Sequence, residues 1–185
     1  MPPLPTLDVI EAAVWRELQA AATDRSHGWR HPVLATVTAD GAPDARVVVL
    51  REVNAAERRL LFFTDARSPK AAQLNARPEG LFVMWSPPLG WQLRVRATLQ
   101  LQVDGLAVSS RWARLKLSPA AQDYLAPLPP GSALPEMPCP TTREDDRGHF
   151  AVVTAQLEAI DWLALSPQGH RRAAFDAQGA RWLQP

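Results

Sequence analysis

The sequence predicts a mainly β protein whose strands form an antiparallel barrel with flanking helices. About seven segments of the 185 residues have the composition or the two-residue period of β-strands. In the clearest of them, residues 91–103, apolar and polar side chains alternate without a break, which indicates one buried and one polar face. Few of these strands are followed by a full-length helix, which argues against a parallel sheet of βαβ units.

The elements of the first half of the chain follow from changes in period. Residues 6–22 place apolar side chains three and four positions apart, which predicts an N-terminal helix. Strands are then predicted at residues 33–38, 45–53, 60–64 and 81–86. Asp40-Gly41 predicts a hairpin turn after the first strand, and Ser68-Pro69 predicts the start of a short helix after the third.

The second half contains a long segment with no regular pattern. A helix is predicted at residues 106–116, and Ser118-Pro119 begins a short one that ends near residue 125. Residues 126–148 are rich in proline and predict an extended loop, a kind of segment that is usually functional or disordered. Three more strands are predicted at residues 150–165, 170–175 and 180–183. The sequence thus predicts one domain over residues 1–185.

Composition and spacing exclude several classes of function. The 20 basic and 19 acidic residues leave a net charge of +1, which argues against a nucleic-acid partner. No apolar run approaches the ~18 residues of a membrane helix, and no signal peptide is evident, so a cytoplasmic protein without a membrane partner is expected. The single cysteine, Cys139, and the spacing of the four histidines predict no metal site.

The residues that could carry chemistry concentrate between positions 46 and 92. They are Arg46 and Arg51 on one predicted strand, Phe63 and Thr64 at the end of the next, and Arg67, Ser68 and Lys70 at a helix start. A helix N-terminus has free N–H groups and a partial positive charge, which suit a phosphate. The hydroxyls and charges around it therefore predict a monophosphate site, although an ordinary Ser-Pro helix start with solvated charges gives the same pattern.

Several stretches also occur in the order and spacing of a known family. They are Leu34-Ala35-Thr36-Val37 with the turn Asp40-Gly41-Ala42-Pro43, Arg46-Val47-Val48-Val49-Leu50-Arg51, Phe63-Thr64, Ser68-Pro69-Lys70-Ala71-Ala72-Gln73-Leu74, Trp85 followed by Gln92, and the closing strands from residue 150. Together they resemble the pyridoxamine 5′-phosphate oxidase family, the FMN-binding split barrels. The resemblance covers most of the chain and implies an antiparallel split β-barrel that forms a homodimer, with FMN held between the subunits.

The resemblance also implies which residues bind the cofactor. They are Arg46, Val47, Val48, Val49, Leu50, Arg51, Phe63, Thr64, Arg67, Ser68, Lys70 and Gln92. Lys70 would bind the FMN phosphate, Gln92 would lie near the isoalloxazine ring, and Arg51 is the candidate for binding an anionic substrate. The family has an arginine where this chain has Pro69, so Arg67 or Ser68 would compensate. No side chain is identified as a catalytic acid or base.

The chain departs from the family where the substrate is bound. The family's Arg-x-His substrate motif falls on His170-Arg171-Arg172, and its late flavin-contacting Trp and Arg fall on Leu163 and Ala174. The leading interpretation is a flavoprotein oxidoreductase that transfers hydride between FMN and a small substrate, phosphorylated or not. The alternatives are an FMN-dependent reductase or oxidase for a non-pyridoxamine substrate, and a flavin- or haem-binding protein without catalysis.

Tryptophans are the remaining conspicuous residues, with seven in the chain. Trp91 and Trp112 are candidate neighbours of a flavin or substrate. Trp15, Trp85 and Trp162 are expected in the core or at a dimer contact because a tryptophan buries a large area.

Overall fold

A computed structural model describes residues 5–134 and 148–185. Within them the helices are α1 (Leu7–Thr23), α2 (Pro69–Ala76), α3 (Leu106–Leu115) and a 3-10 helix (Pro119–Tyr124). The strands are β1 (Val33–Val37), β2 (Pro43–Val47), β3 (Leu50–Asn54), β4 (Arg59–Asp65), β5 (Glu79–Ser86), β6 (Trp91–Gln102), β7 (Phe150–Ala164), β8 (Arg171–Asp176) and β9 (Gly179–Leu183). Most of the predicted proline-rich loop, with Cys139, lies outside the described residues.

All of the strand pairs are antiparallel, as the sequence predicts. One path through the sheet runs β2-β1-β5-β6-β7-β4-β3, and β8 pairs with both β7 and β9. The described residues hold nine strands, so the predicted number of about seven is too low. The prediction of a mainly β fold with flanking helices is confirmed.

The predicted strand at residues 45–53 is wrong, because the structure divides it into two strands at opposite ends of the sheet path. β2 pairs with β1 at one end, and β3 pairs with β4 at the other. Val48 and Val49 connect them, and this two-residue crossing is fixed by the amides of Val48 and Leu50, which donate to Pro32 O at 2.9 Å and Arg30 O at 3.0 Å. The apolar run continues through the crossing, so periodicity could not reveal it.

The main core lies inside the barrel that this crossing closes. On β6, Leu93, Val95, Ala97 and Leu99 are buried, while the residues between them are exposed, as the alternation predicts. Helix α1 adds buried side chains against the same cluster. Each large apolar side chain buried here stabilises the fold by about 1.5–3 kcal/mol.

A second, smaller core lies on the outer side of β4 and β7, beneath α3 and the 3-10 helix. Trp112 packs on Phe150 with ring centroids 5.4 Å apart, and Tyr124 meets the same ring edge-on at 5.2 Å. Trp112 is therefore an interior residue of this cluster. Its predicted contact with flavin or substrate remains a prediction.

The other tryptophans divide between the interior and the surface. Trp91 packs against Trp29 and Trp162, with ring centroids at 6.3 and 5.3 Å, at one end of β6. Trp15 and Trp162 are buried, as expected, whereas Trp85 is 43% exposed and is not a core residue. Among the described residues, no helix has the length and apolar character needed to span a membrane.

Candidate functional site

Helix α2 begins at Pro69, as the Ser-Pro pair predicts, and the preceding residue is buried. The Ser68 side chain is only 1% exposed, and its Oγ lies 3.2 Å from Oγ1 of the buried Thr64. The Ser68 side chain makes no capping hydrogen bond to the helix. The first turn of α2 therefore keeps its positive end next to two hydroxyl groups.

Lys70 stands in this first turn and is half-buried. Its ammonium group has neither a hydrogen bond nor an ion pair with any residue in 5–134 or 148–185. Burial lowers the pKa of Lys70, and the nearby Arg46 guanidinium lowers it further, against the opposing charges of Asp65 and Asp44. Positive charge is thus concentrated at the start of α2, and an anion there would be stabilised.

Arg46 reaches the same helix from β2, through a polar network. Its Nη2 donates to Oε1 of Gln73 at 3.0 Å, and its Nη1 donates to Leu34 O at 3.2 Å and to the Thr36 hydroxyl. Gln73 in turn donates to Oδ2 of Asp44 at 2.8 Å, and Asp44 also pairs with Arg46. The protein therefore orients Arg46 and compensates its charge. Gln73, Thr36 and Asp44 had no predicted role.

Arg67 is paired by the protein in a different way. Its Nε and Nη2 donate to the two oxygens of Asp65 at 3.1 and 2.7 Å. Its Nη groups also donate to the carbonyl oxygens of Ala126 at 2.8 Å and Pro127 at 3.2 Å. Because these contacts use the guanidinium donors, Lys70 remains the unpaired cation of the two at the start of α2.

Arg51 lies at a bulge of β3, at the far side of the crossing from Arg46. Its guanidinium is 5.4 Å from the centre of the Phe63 ring, within the range of cation–π attraction. Its Nε is buried and has no hydrogen-bond partner within the described residues. A buried donor of this kind is unusual in proteins and suits an anionic ligand.

Tyr124 borders Arg51 and was missed by the sequence analysis. Burial raises the pKa of the Tyr124 hydroxyl, and the Arg51 charge opposes that rise. The proximity comes from packing of the 3-10 helix on β4, which no local pattern reveals. Its only signal in the sequence is that it is the single tyrosine of the chain.

The remaining predicted cofactor residues are spread over the crossing and the outer face of the sheet. Val48 and Leu50 are buried in the core, so they could offer a ligand only backbone groups. Val47 is 60% exposed on the outer face, where the register also places Gln92. Three strand spacings, about 14 Å, separate the strands of these two residues.

Comparison with known proteins identifies the family of the chain. The family described as "Pyridoxamine 5′-phosphate oxidase, FMN-binding domain" matches residues 12–103, about half of the chain, and these include every predicted cofactor-binding residue. The chain belongs to the pyridoxamine 5′-phosphate oxidase-like family. A pyridoxine/pyridoxamine 5′-phosphate oxidase from Caulobacter vibrioides is 34% identical over 104 residues.

Solved structures of two other proteins have the same overall fold. A pyridoxamine 5′-phosphate oxidase-related, FMN-binding protein from Nostoc punctiforme has a TM-score of 0.73 at 24% identity, covering 94% of this chain and 96% of that one. PhzG from Burkholderia lata, solved with tetrahydrophenazine-1-carboxylic acid, has a TM-score of 0.74 at 18% identity, covering 99% and 98%. The split-barrel prediction is therefore confirmed.

The sequence similarity to the Caulobacter oxidase is confined to part of each protein. The matched region is 55% of this chain and 46% of the Caulobacter protein. Membership of the oxidase-like family thus rests on the part of the chain that holds α2, Arg46 and Arg51, while the C-terminal strands are matched by fold.

Proposed function

We propose that this chain is a single-domain, homodimeric flavoprotein that binds FMN and transfers hydride between FMN and a small substrate. The observation that carries the proposal is Lys70, a cation without a protein partner among the described residues, in the first turn of α2. Bound FMN would supply the redox chemistry, and the protein would supply binding, orientation and exclusion of water.

The residues around α2 fit the phosphate of FMN. Lys70 would pair with the phosphate, the first-turn N–H groups of α2 would donate to it, and the Thr64 and Ser68 hydroxyls lie beside them. The Arg46 network would keep the edge of the flavin site rigid, because each of its side chains is held by at least one other. The backbone of the crossing, residues 47–50, would follow the flavin edge.

Arg51 would bind an anionic group of the substrate. Its buried, unpartnered Nε and the nearby Tyr124 hydroxyl offer two donors to a carboxylate or a phosphate. The Phe63 ring beneath the guanidinium keeps it oriented. This assignment does not require the anion to belong to pyridoxamine 5′-phosphate.

A second candidate function, turnover of a non-pyridoxamine substrate, is favoured by the positions that align with the family's substrate motif. Arg172 donates to both oxygens of Asp161, at 2.9 and 2.7 Å, so the protein already pairs its charge. Arg171 lies 6.0 Å from the Trp162 ring centre. His170 stands where the family has arginine and Arg172 where it has histidine, so the Arg-x-His pair is absent from these positions. An FMN-dependent reductase or oxidase with another substrate is therefore the main alternative.

Titration of the purified protein with FMN and riboflavin tests cofactor binding, because only FMN carries a phosphate. The Ser68→Ala/Lys70→Ala variant should lose affinity for FMN on the order of tenfold to a hundredfold and keep its affinity for riboflavin. Lys116→Ala is the matched control, since Lys116 is the only other lysine and is exposed. A wild-type protein without flavin absorbance that binds no added FMN would refute the proposal, and unchanged discrimination in the variant would place the phosphate elsewhere.

Turnover assays separate the candidate reactions. Peroxide formed with pyridoxamine 5′-phosphate would indicate the oxidase, whereas anaerobic flavin reduction by NAD(P)H without oxidation of pyridoxamine 5′-phosphate would indicate the reductase. A protein that binds flavin or haem and shows neither reaction would be a binding protein.

A further inference from the structure

The segment that follows the 3-10 helix has few ways to be held in place. Among residues 126–131, Pro127, Pro129 and Pro130 have no N–H group, so half of the segment cannot donate a backbone hydrogen bond. The backbone of residues 126–131, here called the strap, offers carbonyl oxygens as hydrogen-bond acceptors instead. It therefore needs an external donor.

Arg67 is that donor. Its guanidinium reaches the carbonyl oxygens of Ala126, Pro127 and Leu128 at 2.8, 3.2 and 3.5 Å. The same group is fixed from behind by both oxygens of Asp65, whose carboxylate also accepts from the Arg67 backbone N–H at 2.7 Å. Asp65 is 4% exposed, so the anchor is a buried carboxylate. The planar arginine guanidinium has five N–H donors and can bond a carboxylate and several carbonyl oxygens at once. The compact ammonium group of a lysine is not suited to this combination of contacts.

The strap continues from this anchor to the start of α2. A turn, in which Ser132 N donates to Pro129 O at 3.1 Å, brings Gly131 alongside Pro69. A Cβ built on Gly131 would lie 3.9 Å from Cγ of Pro69, which is ordinary van der Waals distance. The strap thus lies against the proline ring that replaces the family's arginine.

We propose that Arg67 is a positioning residue, which clamps the strap against the start of α2 and so makes one wall of the candidate phosphate site. The role of this wall in flavin binding rests on the proposed function, whereas the clamp itself does not. Arg67 acts through Asp65 and the strap and is not itself a phosphate ligand. It also neutralises Asp65, whose charge would otherwise stand near Lys70.

Hydrogen exchange in the flavin-free protein tests the clamp directly. In Arg67→Gln, the amide of Ser132, which closes the turn of the strap on Pro129 O, should exchange about tenfold or more faster than in the wild type, and its rate is the measure of strap exchange. Arg59→Gln is the matched control, because Arg59 also pairs with a carboxylate two positions earlier, Glu57, but does so at an exposed site. Strap exchange that stays at the wild-type rate in Arg67→Gln would overturn the proposal.

Two further variants keep the test decisive. Asp65→Asn should loosen the strap as well, and the double variant should exchange no faster than the faster single one, since both residues act on one contact. If Arg67→Gln fails to fold, Arg67→Lys keeps the charge and should still lose strap protection. A lysine variant with full protection would show that charge alone suffices and would contradict the clamp.

The flavin readout distinguishes the clamp from a direct phosphate contact. Arg67→Gln should release FMN faster and show the rapid strap exchange in the flavin-free state. Weaker FMN binding with unchanged strap exchange would make Arg67 a phosphate ligand and refute the clamp. A protein that binds no FMN at all would refute the proposed function and leave the exchange result standing.

Discussion

Gln73 of α2 accepts a hydrogen bond from Arg46 of β2 at 3.0 Å and thereby ties the helix to the edge of the sheet. The same amide donates to Asp44 and accepts from the Thr36 hydroxyl, so one side chain satisfies three partners. Gln73→Leu should remove one hydrogen-bond partner from each of these groups and place an apolar side chain among them at a buried position. We expect the free energy of unfolding to fall by about 2–3 kcal/mol, measured by chemical denaturation.

Gln19→Leu is the control for this substitution, since Gln19 is an exposed glutamine of helix α1 that lies outside the core. It should change stability by less than about 0.5 kcal/mol. Equal losses in the two variants would show that the Gln73 network contributes little.

The lowered pKa of Lys70 predicts two opposite dependences on pH. A neutral amine cannot pair with a phosphate, so the preference for FMN over riboflavin should decline as pH rises towards the ordinary lysine value of 10.5. In the flavin-free protein, the unfolded state binds more protons over the same range, so the free energy of unfolding should rise with pH. Titration calorimetry and denaturation at several pH values measure both, and the difference between the wild type and Lys70→Ala isolates the contribution of Lys70 to each.

The pKa of Tyr124 reports whether the Arg51 charge acts on its hydroxyl. As the single tyrosine, it alone produces tyrosinate absorbance in the near ultraviolet. Its pKa should lie above the ordinary 10.0 because of burial, and Arg51→Met should raise it further by removing a charge that favours the ionised form.

Arg114→Met, at an exposed position of α3, is the control for the tyrosine titration. It should leave the Tyr124 titration unchanged while circular dichroism confirms that the fold persists. An unaltered pKa in Arg51→Met would contradict the proposed pair of donors at the substrate site.

The outer face of the sheet is where we expect the second subunit. Val33 lies between Val47 and Val83 in the register, and all three belong to this face. Val33→Glu should place a charge in the contact and shift the protein from dimer to monomer in sedimentation velocity. Val9→Glu, on the exposed side of α1, should remain dimeric. A monomeric wild type would show that this face has another role.

Features of the fold that depend on neighbouring residues could be predicted from the sequence, whereas features that depend on contacts with distant parts of the chain could not. The alternation in β6 and the Ser-Pro start of α2 are local signals, and the structure follows both. The crossing at Val48 is decided by hydrogen bonds to residues 30–32, which an uninterrupted apolar run conceals. Local propensity contains no information of that kind.

The candidate site divides in the same way. Lys70 was identified because a helix start has a recognisable sequence. Arg67 has the same local signature, but a carboxylate two positions earlier and carbonyl oxygens some sixty residues later determine what it binds. Tyr124 approaches Arg51 only through packing of the second core.

The two-residue crossing fixes the length of the chain between Arg46 and Arg51. Each arginine belongs to a strand whose register is set by a different neighbouring strand. The four residues between the arginines therefore have a fixed length, because neither strand can shift its register to compensate. Inserting or deleting one residue would turn every later side chain of β3 to the opposite face. The length of this segment is therefore constant, and with it the separation between the proposed phosphate and substrate ends of the site.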